Sequence, residues 1–86
     1  MHREMTLDIL TPEKNIYSGE ASLVQLPGID GSFEMLDNHA PLIAALAKGV
    51  VKFKTNAGEK KITIGGGFVE CLHNRVIVCA EGVSDN

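Results

Sequence analysis

An all-β domain of short strands is the fold class this sequence predicts, and three observations carry the prediction. Glycine, proline and asparagine turn signals recur at short intervals, and apolar residues alternate with polar ones at the period of two that sends one face of a strand into a core. No internal repeat, low-complexity segment or long linker interrupts the pattern.

The first strand is half-buried: Met5, Leu7 and Ile9 alternate with Thr6, Asp8 and Leu10, up to Thr11-Pro12, where proline cannot donate to a ladder. Lys14-Asn15 then turns the chain. Between Ser18 and Pro27 the run Ser22-Leu23-Val24-Gln25-Leu26 reads as a second strand, closed by Pro27-Gly28. Glycines at 28 and 31 bracket Ile29-Asp30, and their access to positive φ predicts a sharp reversal that presents a protruding loop. Phe33, Met35 and Leu36 follow as an apolar cluster with two readings, core packing or a partly exposed docking patch.

Beyond Asn38-His39-Ala40-Pro41-Leu42, local propensity favours a capped helix, since Asn38 suits an N-cap, Ala40 to Ala47 follow, and Lys48-Gly49 supplies a glycine stop. Val50 to Thr55 and Lys60 to Ile64 flank Asn56-Ala57-Gly58 and form the clearest hairpin, in which Val51 and Phe53 face Ile62 and Ile64 while Lys52, Lys54 and Lys61 face water. The last pair is Phe68 to Leu72 with Val76 to Ala80 around His73-Asn74-Arg75, where asparagine suits the turn.

With 86 residues the chain is one domain with a thin core, because a chain this short buries only about 60 to 65% of its unfolded surface. Partners are therefore expected to help stabilise it. The net charge is −3 and the eight Lys and Arg residues are scattered, which argues against nucleic acid and against an anionic lipid surface as partners. The longest apolar run falls far below the roughly 20 residues that span a bilayer, and Met1-His2-Arg3-Glu4 lacks a secretory apolar region, so a cytosolic location without membrane insertion is expected. Cys71 and Cys79 in paired strands admit a disulfide, but a reducing cytosol keeps thiols free, and both are read as small buried hydrophobes.

No Ser-His-Asp or Cys-His arrangement, phosphate-cradling Gly-x-x-x-x-Gly-Lys loop or metal-spaced cluster can be assembled, so no catalytic, cofactor or metal residues are assigned. Gly65-Gly66-Gly67 is followed by no Lys-Ser or Lys-Thr and reads as a bulge or a close backbone approach. His2 is expected in a frayed terminus and His73 in a turn, which leaves His39 with three readings: a hydrogen-bonded structural imidazole, a subunit-interface residue, or a metal ligand for which Asp37 alone is too little help. Glu70 is either a solvated residue of an alternating strand or a buried, partnered carboxylate.

The Gly28-Ile29-Asp30-Gly31 turn followed by His39-Ala40-Pro41-Leu42, the stretch Gly65-Gly66-Gly67-Phe68-Val69-Glu70, and Leu7-Asp8-Ile9-Leu10-Thr11-Pro12 with Tyr17-Ser18-Gly19 together resemble the epsilon subunit of the F-type ATP synthase, called delta in mitochondria. The resemblance covers nearly the whole chain. It implies a flattened β-sandwich of about eight to ten short, mostly antiparallel strands as a single domain over residues 1–86, with a strand where propensity favours helix across 40–47.

For function, the resemblance implies a non-catalytic rotor subunit of a bacterial synthase. It would bind the gamma subunit and the c-ring at the cytoplasmic face of the inner membrane and couple ion-driven rotation to ATP synthesis. By position, Asp30, Gly31 and Ser32 would face the c-ring loops, and His39, Ala40 and Pro41 would lie near gamma and the ring. Two residues depart from the family's pattern: Ser32 stands where many relatives carry an acid, and Glu34 replaces a common glycine and can itself supply negative charge nearby. Relatives usually continue into a C-terminal helical hairpin that inhibits ATP hydrolysis and in some binds ATP; this chain stops at Ser84-Asp85-Asn86, so neither that inhibition nor a nucleotide site is expected of it. The alternative from another class is a small β-barrel ligand- or metal-binding enzyme using His39 with Asp37 or Glu70 as acid and base. A third is a peptide-binding adaptor, which needs a long exposed sheet edge.

Overall fold

The computed structural model describes residues 5–85, and the expectations for His2 lie outside them. The described residues form ten strands and no helix: β1 (Met5–Leu10), β2 (Asn15–Ala21), β3 (Leu23–Gly28), β4 (Gly31–Leu36), β5 (Leu42–Leu46), β6 (Gly49–Thr55), β7 (Gly58–Ile64), β8 (Gly66–Leu72), β9 (Arg75–Glu81) and β10 (Ser84–Asp85). They make one curled sheet in the order β10-β7-β6-β3-β5-β8-β9-β1-β2, with β4 paired to β3. All pairings are antiparallel except β1 with β9.

Strand β3 is the corner of the fold. Its first residues, Leu23 to Gln25, pair with β6, while its last, Gly28, pairs with Leu46 of β5, so the sheet folds over there into two layers. The alternating apolar residues of both layers meet in between. From one side come Met5, Leu7, Ile9, Val69, Val76 and Val78; from the other come Val24, Leu26, Met35, Val51, Phe53 and Ile64, all essentially without solvent exposure. Tyr17 crosses from β2 to stack at a tilt on Phe53, their ring centroids 4.7 Å apart. The extents, 38 × 26 × 21 Å, are those of a flattened sandwich.

The run expected as a strand at Ser22 to Leu26 forms β3, and a further strand that carries no such run, β2, leads directly into it. The chain leaves one layer after buried Ala21 and enters the other at Leu23, and the Ser22 N–H donates to the Lys54 carbonyl at 2.9 Å to hold the crossing. Neither glycine nor proline marks that break. The loop expected after Gly28 is instead a tight turn that leads at once into β4, whose Ser32 to Leu36 pair with Pro27 to Leu23. The β6–β7 hairpin forms with Val51 opposite Ile62 as expected, but Phe53 faces Lys60 and Ile64 faces Gly49 across the ladder. Across 40–47 the strand wins over the helix: all five residues of β5, Leu42 to Leu46, pair with Cys71 to Gly67 of β8, and tertiary pairing outweighs local propensity.

The triple glycine is a close backbone approach. Gly67 has φ +142°, and a Cβ there would stand 2.1 Å from the Cys79 carbonyl oxygen of the neighbouring strand. Cys71 and Cys79 are both free thiols. Cys71 points into the core as expected, whereas Cys79, opposite outward-facing Phe68 on β9, is half-buried on the outer surface, which corrects its reading as a buried hydrophobe. Burial pushes the Cys71 thiol up, away from its reactive thiolate form. Native-state labelling with a thiol reagent, followed by mass spectrometry, is therefore expected to modify Cys79 first and Cys71 only slowly; equal rates at the two sites contradict that geometry.

Candidate partner interface

Gly28 and Gly31 close a hairpin turn over Ile29-Asp30, pairing with each other at its base. Gly31 has φ +129°, and a Cβ on Gly28 would collide with the Gly31 carbonyl oxygen at 2.6 Å and the Phe33 ring at 2.8 Å, so this turn needs glycine at both ends. The Ile29 N–H donates to the Ala45 carbonyl at 3.1 Å, which fixes the tip of the hairpin against β5. Asp30, Gly31 and Ser32 are all exposed there.

On the other side, Asn38 at φ +66° reverses the chain after β4, and the His39 N–H donates to the Leu36 carbonyl at 3.1 Å. His39 is half-buried, with Nδ1 2.7 Å from the Ala40 carbonyl oxygen; Ala40 and Pro41 are exposed. Between hairpin and β5 lies a groove of about 580 Å³ whose lining includes Asp30, Gly31, Phe33, His39, Ile43 and Ala45. Two groups of candidate residues that lie apart in sequence thus share one groove, through Asp30, Gly31 and His39. Ser32, Ala40 and Pro41 stay outside its lining. The apolar cluster after the turn divides: Met35 is core, Phe33 lines the groove and Leu36 is 53% exposed.

Ile43 and Ala45 also belong to a second surface, the outer face of β5, β8, β9 and β1. Register places Ala45, Phe68, Cys79 and Leu10 in one row across the four strands, and Ile43, Glu70, Ile77 and Asp8 in the next. Ile43 is 74% exposed, Phe68 51% and Leu72 46%, so large apolar side chains stand uncovered on this face. Glu70 is exposed on it, in keeping with the solvated reading, and Arg75 pairs with Asp8 at 3.5 Å on the same side. The opposite layer instead turns Gln25, Lys52, Lys54 and Lys61 outward. The need for a durable partner contact leads one to expect an apolar, uncovered sandwich face, and the sequence also marks a strand that builds it: Val76-Ile77-Val78-Cys79-Ala80 is a continuous apolar run. A sheet with one wetted face alternates, whereas a run marks a strand whose two faces are both apolar.

The acid–base pair of the enzyme alternative is not assembled. Asp37 accepts hydrogen bonds from Asn74 Nδ2 at 2.6 Å and Asn38 Nδ2 at 3.5 Å, and Glu70 sits on β8 facing outward. Among the described residues no hydrogen bond or ion pair joins either carboxylate to His39, and no three His, Cys, Asp or Glu side chains converge as a metal site. Strand β4 pairs with β3 alone, but this edge is only six residues long and carries Glu34, features that discourage strand addition.

The described residues thus define a small two-layer β-sandwich domain with glycine-built turns and an exposed apolar row on one face. Residues 4–85 match the family model described as ATP synthase, Delta/Epsilon chain, beta-sandwich domain, and the chain belongs to that family. It is 43% identical over 83 residues to the ATP synthase epsilon chain of Chlorobaculum tepidum, covering 95% of this chain and 94% of that one. To the epsilon chain of Syntrophomonas wolfei it is 42% identical over 76 residues, which cover 87% of this chain but 56% of that relative, so the chain spans little more than half the length of this longer relative. In a solved mitochondrial ATP synthase of Euglena gracilis (OSCP/F1/c-ring), one chain superposes with a TM-score of 0.90 at 16% identity over 99% of this chain and 55% of its own length; this likeness concerns the fold.

Proposed function

We propose that this sandwich is a non-catalytic rotor element of a bacterial F-type ATP synthase, docked on the gamma subunit and resting on the c-ring, so that ion-driven rotation passes through it to ATP synthesis. The observation that carries this reading is the uncovered apolar face of β5, β8, β9 and β1, which runs into the His39 groove through Ile43 and Ala45. A durable contact buries roughly 1,200 to 2,000 Å² in total, about half on each partner, which is about a ninth to a fifth of the 5206 Å² this chain exposes. The exposed apolar side chains Ile43, Phe68 and Leu72, flanked by Glu70 and the Arg75–Asp8 pair, suit such a contact.

Gamma would take the apolar side chains of that face, the His39 end of the groove, and exposed Ala40 and Pro41 beside it. The exposed tip Asp30-Gly31-Ser32 would meet the polar loops of the c-ring. Ser32 and Glu34, two apart on β4, project to the same side, so Glu34 would supply the negative charge that Ser32 lacks. The complex would lie peripherally on the cytoplasmic face of the inner membrane, and the 86 residues themselves would hold no nucleotide.

Co-expression with the cognate gamma subunit and size-exclusion chromatography at moderate salt test this. A stoichiometric complex is expected, together with no saturable ATP binding to the isolated chain by calorimetry. Separate elution of two folded proteins overturns the gamma assignment, and ATP binding tighter than millimolar overturns the absence of a nucleotide site.

A further inference from the structure

Among the described residues one polar side chain is buried, that of Asn74, at 8% exposure. It lies in the two-residue His73-Asn74 turn between β8 and β9, where both residues are left-handed, at φ +52° and +63°. Asparagine tolerates that conformation, so the turn alone would explain its presence. Its side chain, however, is spent elsewhere. Oδ1 accepts the Asn38 N–H at 2.8 Å and Nδ2 donates to Asp37 Oδ1 at 2.6 Å, both more than 35 residues back in the chain. Its carbonyl accepts the Thr6 N–H at 3.0 Å, which ties the same turn to β1.

Residues 37–41 lie between strands β4 and β5 and belong to neither. Pro41 has no N–H to give, Ala40 and Pro41 are exposed, and the other local backbone tie is the His39-to-Leu36 bond. Without the Asn74 amide, a segment with a left-handed residue at Asn38 would hang on that one backbone bond and a long 4.0 Å contact from the Cys71 thiol to the His39 carbonyl. We propose that Asn74 is a positioning residue: its side chain latches the β8–β9 turn to the Asp37-Asn38 reversal and so presents His39, Ala40 and Pro41 to gamma. This rests on the reading that those residues meet gamma. Position 74 has two demands, a left-handed backbone and an amide that both donates and accepts. Glycine meets only the first. Aspartate can accept from Asn38 but sets a second carboxylate against Asp37, where like charges oppose each other.

The test uses the whole chain and reads two quantities, hydrogen exchange of the Asn38 and His39 amides in the free protein and the affinity for purified gamma. Asn74→Gly keeps the turn but loses both side-chain hydrogen bonds, and is expected to speed exchange at Asn38 and His39 while weakening gamma binding about tenfold or more. Asn74→Asp is expected to do the same, Asp37→Asn to change little, and the swapped pair Asp37→Asn with Asn74→Asp to restore affinity to within about threefold, because amide and carboxylate then trade places. A folded Asn74→Gly chain that binds gamma as tightly as the unaltered one overturns the proposal, as does a folded swap that restores nothing. Should Asn74→Gly fail to fold, the swap decides alone. Failure of the unaltered chain to bind gamma would instead reject the functional reading, with the exchange rates still reporting on the latch.

Discussion

A chain carrying Phe68→Asp is expected to stay folded and to elute apart from gamma. Phe68 stands in the middle of the apolar row Ala45, Phe68, Cys79 and Leu10, with about half its surface open, so its replacement removes no core contact of the isolated domain. In a docked complex the same position would be desolvated, and central aromatic residues of that kind are where binding energy concentrates, at about 2 kcal/mol or more each when truncated. A buried unpaired carboxylate adds a further penalty. A loss of roughly a hundredfold or more in affinity follows. Lys54→Asp, on the outward side of β6 in the opposite layer, serves as the control and should leave the complex intact. If Phe68→Asp binds normally and Lys54→Asp does not, the docking face lies on the other layer.

The second large effect is on folding. Gly67→Ala places a methyl group 2.1 Å from the Cys79 carbonyl oxygen at a backbone φ of +142°, and the obstacle is backbone rather than a side chain that can move. Strain and collision together are expected to cost on the order of 3 kcal/mol or more. For a domain of this size that is a fall of about 12 °C or more in Tm. Gly31→Ala supplies the comparison: its φ of +129° is also unfavourable, but no atom lies within 4 Å of the added Cβ, so it should cost only about 1 kcal/mol. Thermal unfolding of the two variants separates crowding from conformation, and equal losses would show that crowding at Gly67 is relieved by strand movement.

Much of the fold was legible because its signals are local. The β6–β7 and β8–β9 hairpins follow from alternating residues about short turns, and the Gly28–Gly31 reversal from glycine spacing. The break at Ser22 was not legible, since nothing in Ala21-Ser22-Leu23 resembles a turn; the chain bends there because β2 pairs with β1 in one layer and β3 with β6 in the other. The choice of strand for Leu42 to Leu46 was legible only through family resemblance, as local preference favours a helix there and pairing with β8 decides otherwise.

By itself, then, the sequence determined the class of fold, the turns, the buried alternation and the family, because each depends on residues within a few positions of one another or on a pattern matched along the whole chain. Tertiary structure decided the rest. It brought Asp30 and His39 to one groove, joined Ile43, Phe68, Ile77 and Cys79 from three strands into one open apolar face, and sent the Asn74 amide to a reversal more than 35 residues away. Each of those depends on strand order and register, which place residues side by side that no spacing along the chain relates.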